Sequence, residues 1–255
     1  MNYEGLQSEI KHRSRSGLTL QASHVWAKSL GNVGGDAPTA FSPEVIYGTP
    51  VADRFDLAAN RGNIAAVRRQ RVLVSAIYEL AVGNGRRFFN HMGSIPQVVL
   101  GGWSMSTVSL WLTGPYLTPI TSPSYDPGNL NLGYRGTFQR PDCLGNGNLS
   151  KPKPGEYFNV NAFHAVPADA VGSCRVGSLV GPGTVAIAGG LSKTFAFGER
   201  VRMKLESTFT NLPNHLNYAP PSTDVTSSTF GKITSMQTAE NAGNRTGQVA
   251  LRIEF

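Results

Sequence analysis

Several segments of this chain alternate apolar and polar residues with a period of two, which is the periodicity of a β-strand with two different faces. In the clearest segment, Val201, Met203 and Leu205 alternate with Arg202, Lys204 and Glu206. In the last segment, Val249, Leu251 and Ile253 alternate with polar or small residues that include Arg252 and Glu254. The pattern predicts an all-β antiparallel meander of about seven strands, at 3–13, 17–28, 69–80, 102–113, 184–196, 200–211 and 245–255.

The length of these segments, and the placement of short and long connections at opposite ends, restrict the possible fold classes further. Each segment has about ten residues, longer than the usual five or six and close to the roughly 9–11 of a tilted strand that crosses a bilayer. Short turns at 14–17 and 197–199 would lie at one end, and long loops after Leu30, Thr113 and Asn211 at the other. One connection on the short side, 81–100, is longer than expected. This sorting is typical of outer-membrane β-barrels, so the sequence predicts part of a transmembrane β-barrel with long outer loops.

The two-residue period assigns candidate residues to each side of such a wall. Hydrocarbon requires apolar side chains on one face, whereas the lumen face tolerates charge. The lipid-facing candidates are Val201, Met203, Leu205, Val249, Leu251 and Ile253, and the lumen-facing candidates are Arg202, Lys204, Glu206, Arg252 and Glu254. The alternative interpretation is a soluble, secreted β-sandwich with one wet face, acting as an adhesion or carbohydrate-binding module.

Composition and motifs exclude several other classes. Charged residues make up 15% of the chain, which does not fit a coiled coil, and 29 Gly with 16 Pro indicate many loops. The net charge is +7, but the basic residues are scattered without interleaved aromatics, so no nucleic-acid partner is expected. Nucleophile-elbow, phosphate-loop, zinc-protease and dinucleotide motifs are absent, and the His residues have no ligand spacing. We therefore expect no enzymatic activity, no catalytic or metal residues and no cofactor.

Two further sets of residues leave alternatives open. Cys143 and Cys174 belong to one long loop, where a disulfide and two unpaired thiols are equally compatible with the sequence. Aromatic residues fall near strand ends or along strands, and they fit either an aromatic girdle at the bilayer interface or ordinary packing in a β core. The aromatic set is Trp26, Tyr78, Trp103, Trp111 and Phe255.

A series of short motifs, in order along nearly the whole chain, resembles one family. They begin with NYEGLQ at 2–7 and GLTLQAS at 17–23, and continue with YEL at 78–80 followed by GNGRRF at 83–88. The later motifs are GGW at 101–103, GPYLTP at 114–119, FN at 158–159 with AF at 162–163, GPG at 181–183, LSK at 191–193, FTNLPNHLNY at 209–218 and TFGKITS at 229–235. The set resembles the C-terminal barrel of TonB-dependent outer-membrane receptors, in particular the Oar-like group whose members carry a carboxypeptidase-regulatory-like domain.

The resemblance implies a function, a location and a set of partners. It implies that residues 1–255 are a partial C-terminal barrel domain of a receptor for energy-coupled ligand uptake in the cell outer membrane. The family's N-terminal plug and signal peptide are not visible in the sequence, so the partners would be a plug, further barrel strands and outer-membrane lipid, with TonB acting only through the plug. It also implies that a terminal aromatic such as Phe255 is an assembly signal, read by the barrel-assembly machinery.

Overall fold

Long strands dominate the chain in a computed structural model that describes residues 1–32, 56, 58–65, 67–122, 139–198 and 200–255. They are β1 (Asn2–Arg13), β2 (Leu18–Gly31), β3 (Gln70–Glu79), β4 (Trp103–Leu112), β5 (Thr184–Phe197), β6 (Val201–Thr210) and β7 (Thr246–Glu254). Every strand lies within three residues of its predicted bounds, so the seven predicted strands are confirmed.

The seven strands form a single antiparallel sheet in chain order. Each long strand pairs with the one before and the one after it, and Gly62–Asn63 adds a short pairing to β2. In the described residues β1 pairs only with β2, and β7 only with β6, so the sheet is open. The other sheets in this part of the chain are two-stranded, and the two-sheet sandwich considered above is wrong.

The two ends of the sheet differ as the sequence predicts. At one end, here the turn end, β1 and β2 are joined by a tight turn in which the Gly17 amide donates to the Ser14 carbonyl at 3.3 Å. Gly17 has φ +93°, and a Cβ there would lie 2.8 Å from the Glu79 carbonyl oxygen, so a glycine is required. The opposite, loop end carries the long connections. Both edge strands, β1 and β7, run toward the turn end.

The connection from β3 to β4, at the turn end, contains the helix α1 (Ser94–Leu100). This helix was not predicted, because a segment of seven residues with Pro96 in the first turn is too short for a helical period to be recognised. No helix in the described ranges has the length and apolar character needed to cross a membrane.

The loop end carries a packed layer that we call the loop cap, formed by the described residues of 113–183 and 211–245. Its short strands are Tyr116–Leu117 with Leu179–Val180, Asp142–Cys143 with Phe163–His164, and Asn148–Lys153 with Glu156–Phe158. It also contains the 3₁₀ turns Val160–Ala162 and Ala239–Asn241. Phe230 from the second connection packs between Phe158 and Phe163 of the first, with ring centroids 6.3 and 5.4 Å apart. The two long connections therefore share one hydrophobic core.

Candidate functional site: the two faces of the sheet and the loop cap

One face of the sheet, here the polar face, collects the charged side chains of the strands. Arg202 lies opposite Glu254 and Lys204 opposite Arg252, and directly paired residues of an antiparallel sheet share a face. Lys204 forms an ion pair with Glu206 on the same strand. Following the register across the sheet extends this face to Arg13, Lys11, Glu9, Arg71 and Glu79. Three large hydrophobic side chains, Tyr3, Ile77 and Val108, are also exposed there.

A shallow hollow of about 410 Å³ lies on this polar face and extends from β4 to the edge strand β7. Small and hydroxylated residues line most of it, chiefly Ser106, Ala188, Gly190, Thr208, Thr210 and Gln248. A Cβ at Gly190 would lie 2.7 Å from the Ser106 hydroxyl and 3.3 Å from Thr208 Cγ2. The absence of a side chain at Gly190 therefore keeps this part of the surface recessed. Hydroxyl and amide groups make up part of its lining, but the larger part of its exposed surface is apolar.

The other face, here the apolar face, carries the second predicted set. Met203 lies opposite Ile253, Leu205 opposite Leu251, and Ser207 opposite Val249. The same face continues through β5, β4, β3, β2 and β1, where its large exposed side chains are Phe197, Leu191, Met105, Trp111, Tyr78, Trp26, Leu6 and Ile10. Soluble monomers rarely expose a contiguous apolar surface of this extent, so the face needs an apolar partner.

Aromatic residues lie in two rows on the apolar face. Trp26 and Trp111 lie toward the loop end, where they pair with Gln70 and Val72 of β3. Tyr78 and Trp103 lie at the turn end. Eight residues separate Trp103 from Trp111, about 26 Å along a strand and about 20 Å along the barrel axis at a tilt near 40°. That spacing is close to the height of about 25 Å of an apolar band between two aromatic girdles.

The charged strand residues on the apolar face lie near its two ends. Glu4 and Lys28 face each other at the loop end, and Lys193 lies opposite Trp103 at the turn end. Lys193 is 3% exposed: its ammonium donates to the carbonyls of Val99 and Gly101, and it lies 5.1 Å from the Trp103 ring centroid. The charge is therefore enclosed by α1 and by an aromatic ring.

The loop cap is attached to the polar face at the loop end. Leu110, Leu112 and Ala186 of the sheet pack against Ala242 of the second connection. Arg71 on β3 forms an ion pair with Glu240 at 3.6 Å. Loops therefore cover the polar face at this end, whereas the apolar residues at the middle of the opposite face stay exposed.

Asn217 is the main hydrogen-bonding link between cap and sheet, and sequence reasoning did not identify it. The Asn217 side chain accepts from the Val185 amide at 2.7 Å and donates to the Val185 carbonyl at 2.9 Å. It also donates to the Ala242 carbonyl at 3.0 Å. Its asparagine-rich surroundings give a turn signal but no indication of a buried link of this kind.

The cap contains the two cysteines and one buried cation. Cys143 and Cys174 form a disulfide, with Cα atoms 4.8 Å apart. Arg140 is 2% exposed and donates from Nη2 to the Ala59 carbonyl at 3.1 Å, and burial lowers the pKa of its guanidinium. Burial likewise raises the pKa of the Tyr157 phenol. Within the described ranges, no group of three or more His, Cys, Asp or Glu is arranged to hold a metal ion.

Phe255 follows the last strand and continues the phase of Val249, Leu251 and Ile253. Its side chain is fully exposed, so it does not stabilise the fold by packing against the described residues. A role for this residue would therefore depend on another molecule.

Comparison with known proteins agrees with this geometry. No curated protein matches the chain. A family model described as an outer membrane beta barrel domain matches residues 1–248, nearly the whole sequence. The meander of long strands, the division into a polar and an apolar face, and the sorting of short and long connections are features of that architecture. The chain therefore belongs to the outer membrane β-barrel domain family and is a protein of the outer membrane.

Proposed function

We propose that this chain forms part of the wall of a TonB-dependent receptor that takes up a scarce ligand across the outer membrane. The apolar face lies against lipid and the polar face lines the lumen. The turn end lies on the periplasmic side, and the loop cap lies outside the cell. The protein moves its ligand without changing it chemically, and a plug domain, which contacts TonB, supplies the energy coupling.

The observation that carries this proposal is the apolar face that extends across all seven long strands. Its charged residues, Glu4, Lys28 and Lys193, lie near its ends, where a bilayer meets water. A charged side chain at the bilayer midplane costs about 2–4 kcal/mol, so lipid contact explains why the charged set lies on the other face. The cap supports the same orientation, because outer loops of barrels commonly fold over the lumen rather than over the lipid.

The receptor part of the proposal rests on the ordered motifs between 2–7 and 229–235, which resemble TonB-dependent receptors of the Oar-like group. The hollow beside Ser106 and Gly190 leaves room for a small molecule along the lumen side of the wall. The cap is the surface that such a molecule meets first.

The orientation of the wall can be tested by cysteine labelling. Leu205→Cys and Thr208→Cys place single thiols on opposite faces of β6, and the native disulfide keeps Cys143 and Cys174 unreactive. In outer membranes, a membrane-impermeant maleimide should react with position 208 and not with position 205. Reaction at 205 with protection at 208 would reverse the assignment and overturn the proposal.

Energy-coupled uptake can be tested on cells with and without the gene that encodes the chain. We expect cells with the gene to deplete one or more compounds from a defined medium, and a protonophore should abolish the depletion. Depletion that continues with the protonophore would indicate a passive pore. Identical media after growth of both strains would argue against transport.

A further inference from the structure

We propose that α1 is an interfacial membrane helix, which lies among the lipid headgroups on the periplasmic side and holds the turn end of the barrel against an anionic lipid surface. This inference rests on the proposed function, because it takes the apolar face of the sheet to be the lipid-facing one. The occupant of the helix surface is then lipid, at the boundary between headgroups and acyl chains.

The position of α1 on the apolar face is fixed by its last carbonyls. The Val99 carbonyl accepts from Trp103 Nε1 at 3.0 Å and from Lys193 Nζ at 3.1 Å. Both donors belong to the apolar face, where Trp103 and Lys193 lie opposite each other. The indole N–H of Trp103 and the ammonium of Lys193 also interact favourably with the partial negative charge of the helix C-terminus. The C-terminal end of α1 therefore lies over the face that contacts lipid.

The opposite side of α1 has a polar attachment. The side chain of Gln97 accepts from the Asn84 amide at 2.7 Å. It is the one partly buried residue of the helix, all others being exposed. Gln97 therefore faces the protein, and this contact sets the rotation of α1 about its own axis.

The remaining surface of α1 is apolar and exposed, and Val98 also borders a hollow that it shares with Arg202 and Lys204 of the polar face. Ile95, Val98 and Val99 have the spacing i, i+3, i+4, which puts them on one helix face, and all three are exposed, Ile95 at 80%. Phe88 and Phe89 in the same connection are also exposed. An apolar helix face of this kind inserts about 5–10 Å into the headgroup and acyl boundary.

The charge of the connection fits an anionic surface. No Asp or Glu occurs from Ala81 to Gly102, whereas Arg86 and Arg87 lie within it. Arg86 pairs with Glu79 at 2.7 Å, and Arg87 lies over the Phe88 ring at 5.5 Å, so Arg87 presents a cation beside an exposed aromatic. Adjacent basic and apolar groups are the usual signature of attachment to anionic lipid.

Depth-dependent quenching can test the proposal on the complete polypeptide that carries these residues, reconstituted in vesicles of phosphatidylethanolamine and phosphatidylglycerol. Single variants Ile95→Cys, Leu251→Cys and Ser150→Cys would carry the same environment-sensitive fluorophore. Ser150 lies on an exposed hairpin of the cap and serves as the aqueous control. Leu251 lies on the apolar face of β7 and reports on the barrel wall.

We expect lipids with a shallow spin label to remove most of the emission from position 95, and lipids with a deeper label to quench position 251. Emission at position 150 should respond only to aqueous iodide. Val98→Asp added to the Ile95→Cys variant should abolish shallow quenching at 95 and leave quenching at 251 unchanged. In vesicles of phosphatidylcholine alone, which carry no net charge, quenching by the shallow label should weaken at position 95 and stay unchanged at position 251.

Each other outcome overturns a defined part of the argument. Deep quenching at 251 with iodide access at 95 would reject the interfacial helix and leave the proposed function standing. Protection of 95 from both iodide and lipid labels would show that protein covers α1, which also rejects it. Absence of lipid quenching at both 251 and 95 would reject the orientation of the sheet and, with it, the helix proposal.

Discussion

Lys193 and Trp103 lie directly opposite each other in neighbouring strands, and the ammonium of the lysine lies 5.1 Å from the centroid of the tryptophan ring. The same ammonium donates to the Val99 and Gly101 carbonyls, so a single side chain joins β5, β4 and α1.

Lys193→Met should therefore destabilise the turn end. Hydrogen bonds to charged groups contribute about 1.5–3 kcal/mol, and the variant leaves the Gly101 carbonyl without its donor. We expect a loss of about 2 kcal/mol of unfolding free energy in lipid vesicles, measured by urea titration. Lys204→Met is the control, because its ion pair with Glu206 lies on the exposed polar face and should contribute little. Equal losses in both variants would refute this role of Lys193.

A charge added to the apolar face should be costly, whereas the same charge added to the polar face should not. Leu205→Arg should lower the unfolding free energy in vesicles by about 1–2 kcal/mol, less than the cost at the midplane, because Leu205 lies opposite Lys193 near the turn end. Thr208→Arg, three residues away on the polar face, is the matched control and should change stability by less than about 1 kcal/mol. The opposite ranking would mean that lipid contacts the charged face.

The disulfide should stabilise the loop cap against local opening. Thiol titration of the unreduced, denatured protein should find no reactive cysteine, because Cys143 and Cys174 are joined across a sequence separation of 31. Closing such a loop contributes about 3–4 kcal/mol in the chain-entropy model. The double variant Cys143→Ser, Cys174→Ser should be cut by protease within the cap sooner than the parent. Two free thiols per chain would contradict the prediction.

Asn217→Ala should loosen the cap from the sheet without unfolding the strands. The variant removes three hydrogen bonds and leaves the Val185 amide and the Ala242 carbonyl buried without partners, at about 1–3 kcal/mol for each unsatisfied group. Hydrogen exchange should accelerate at Val185, while β6 and β7 keep their protection. Thr223→Ala, another buried polar residue of the cap, is a suitable comparison. Unchanged exchange at Val185 would show that the link is dispensable.

Phe255→Asp should reduce assembly in cells while leaving the folded protein unchanged. Because Phe255 is fully exposed, its replacement removes no contact within the chain. In cells we expect less heat-modifiable protein in the outer membrane, but equal refolding yields and equal urea midpoints in vesicles. Equal amounts in the outer membrane would refute a role as an assembly signal, and a lower urea midpoint would indicate a structural role instead.

The strands could be predicted from the sequence and the cap could not, for a physical reason. A wall between two different solvents imposes a period of two, and residues such as Val201 to Leu205 display that period directly. The cap core depends on residues distant in sequence, such as Phe158 and Phe230, which meet without any local period. Asn217 and α1 were missed for the same reason, because neither produces a recognisable period in the sequence. Asn217 is a single buried amide, and α1 has only seven residues.

The shared direction of β1 and β7 limits how this sheet can be completed. Antiparallel neighbours must alternate in direction, so an odd number of additional strands has to lie between the two edges before the cylinder can close. Copies of the same sheet, arranged side by side around an axis normal to the membrane, would meet along parallel seams. A self-assembled ring is therefore disfavoured, because the strand next to each edge has to run toward the loop end, whereas β1 and β7 of a second copy both run toward the turn end.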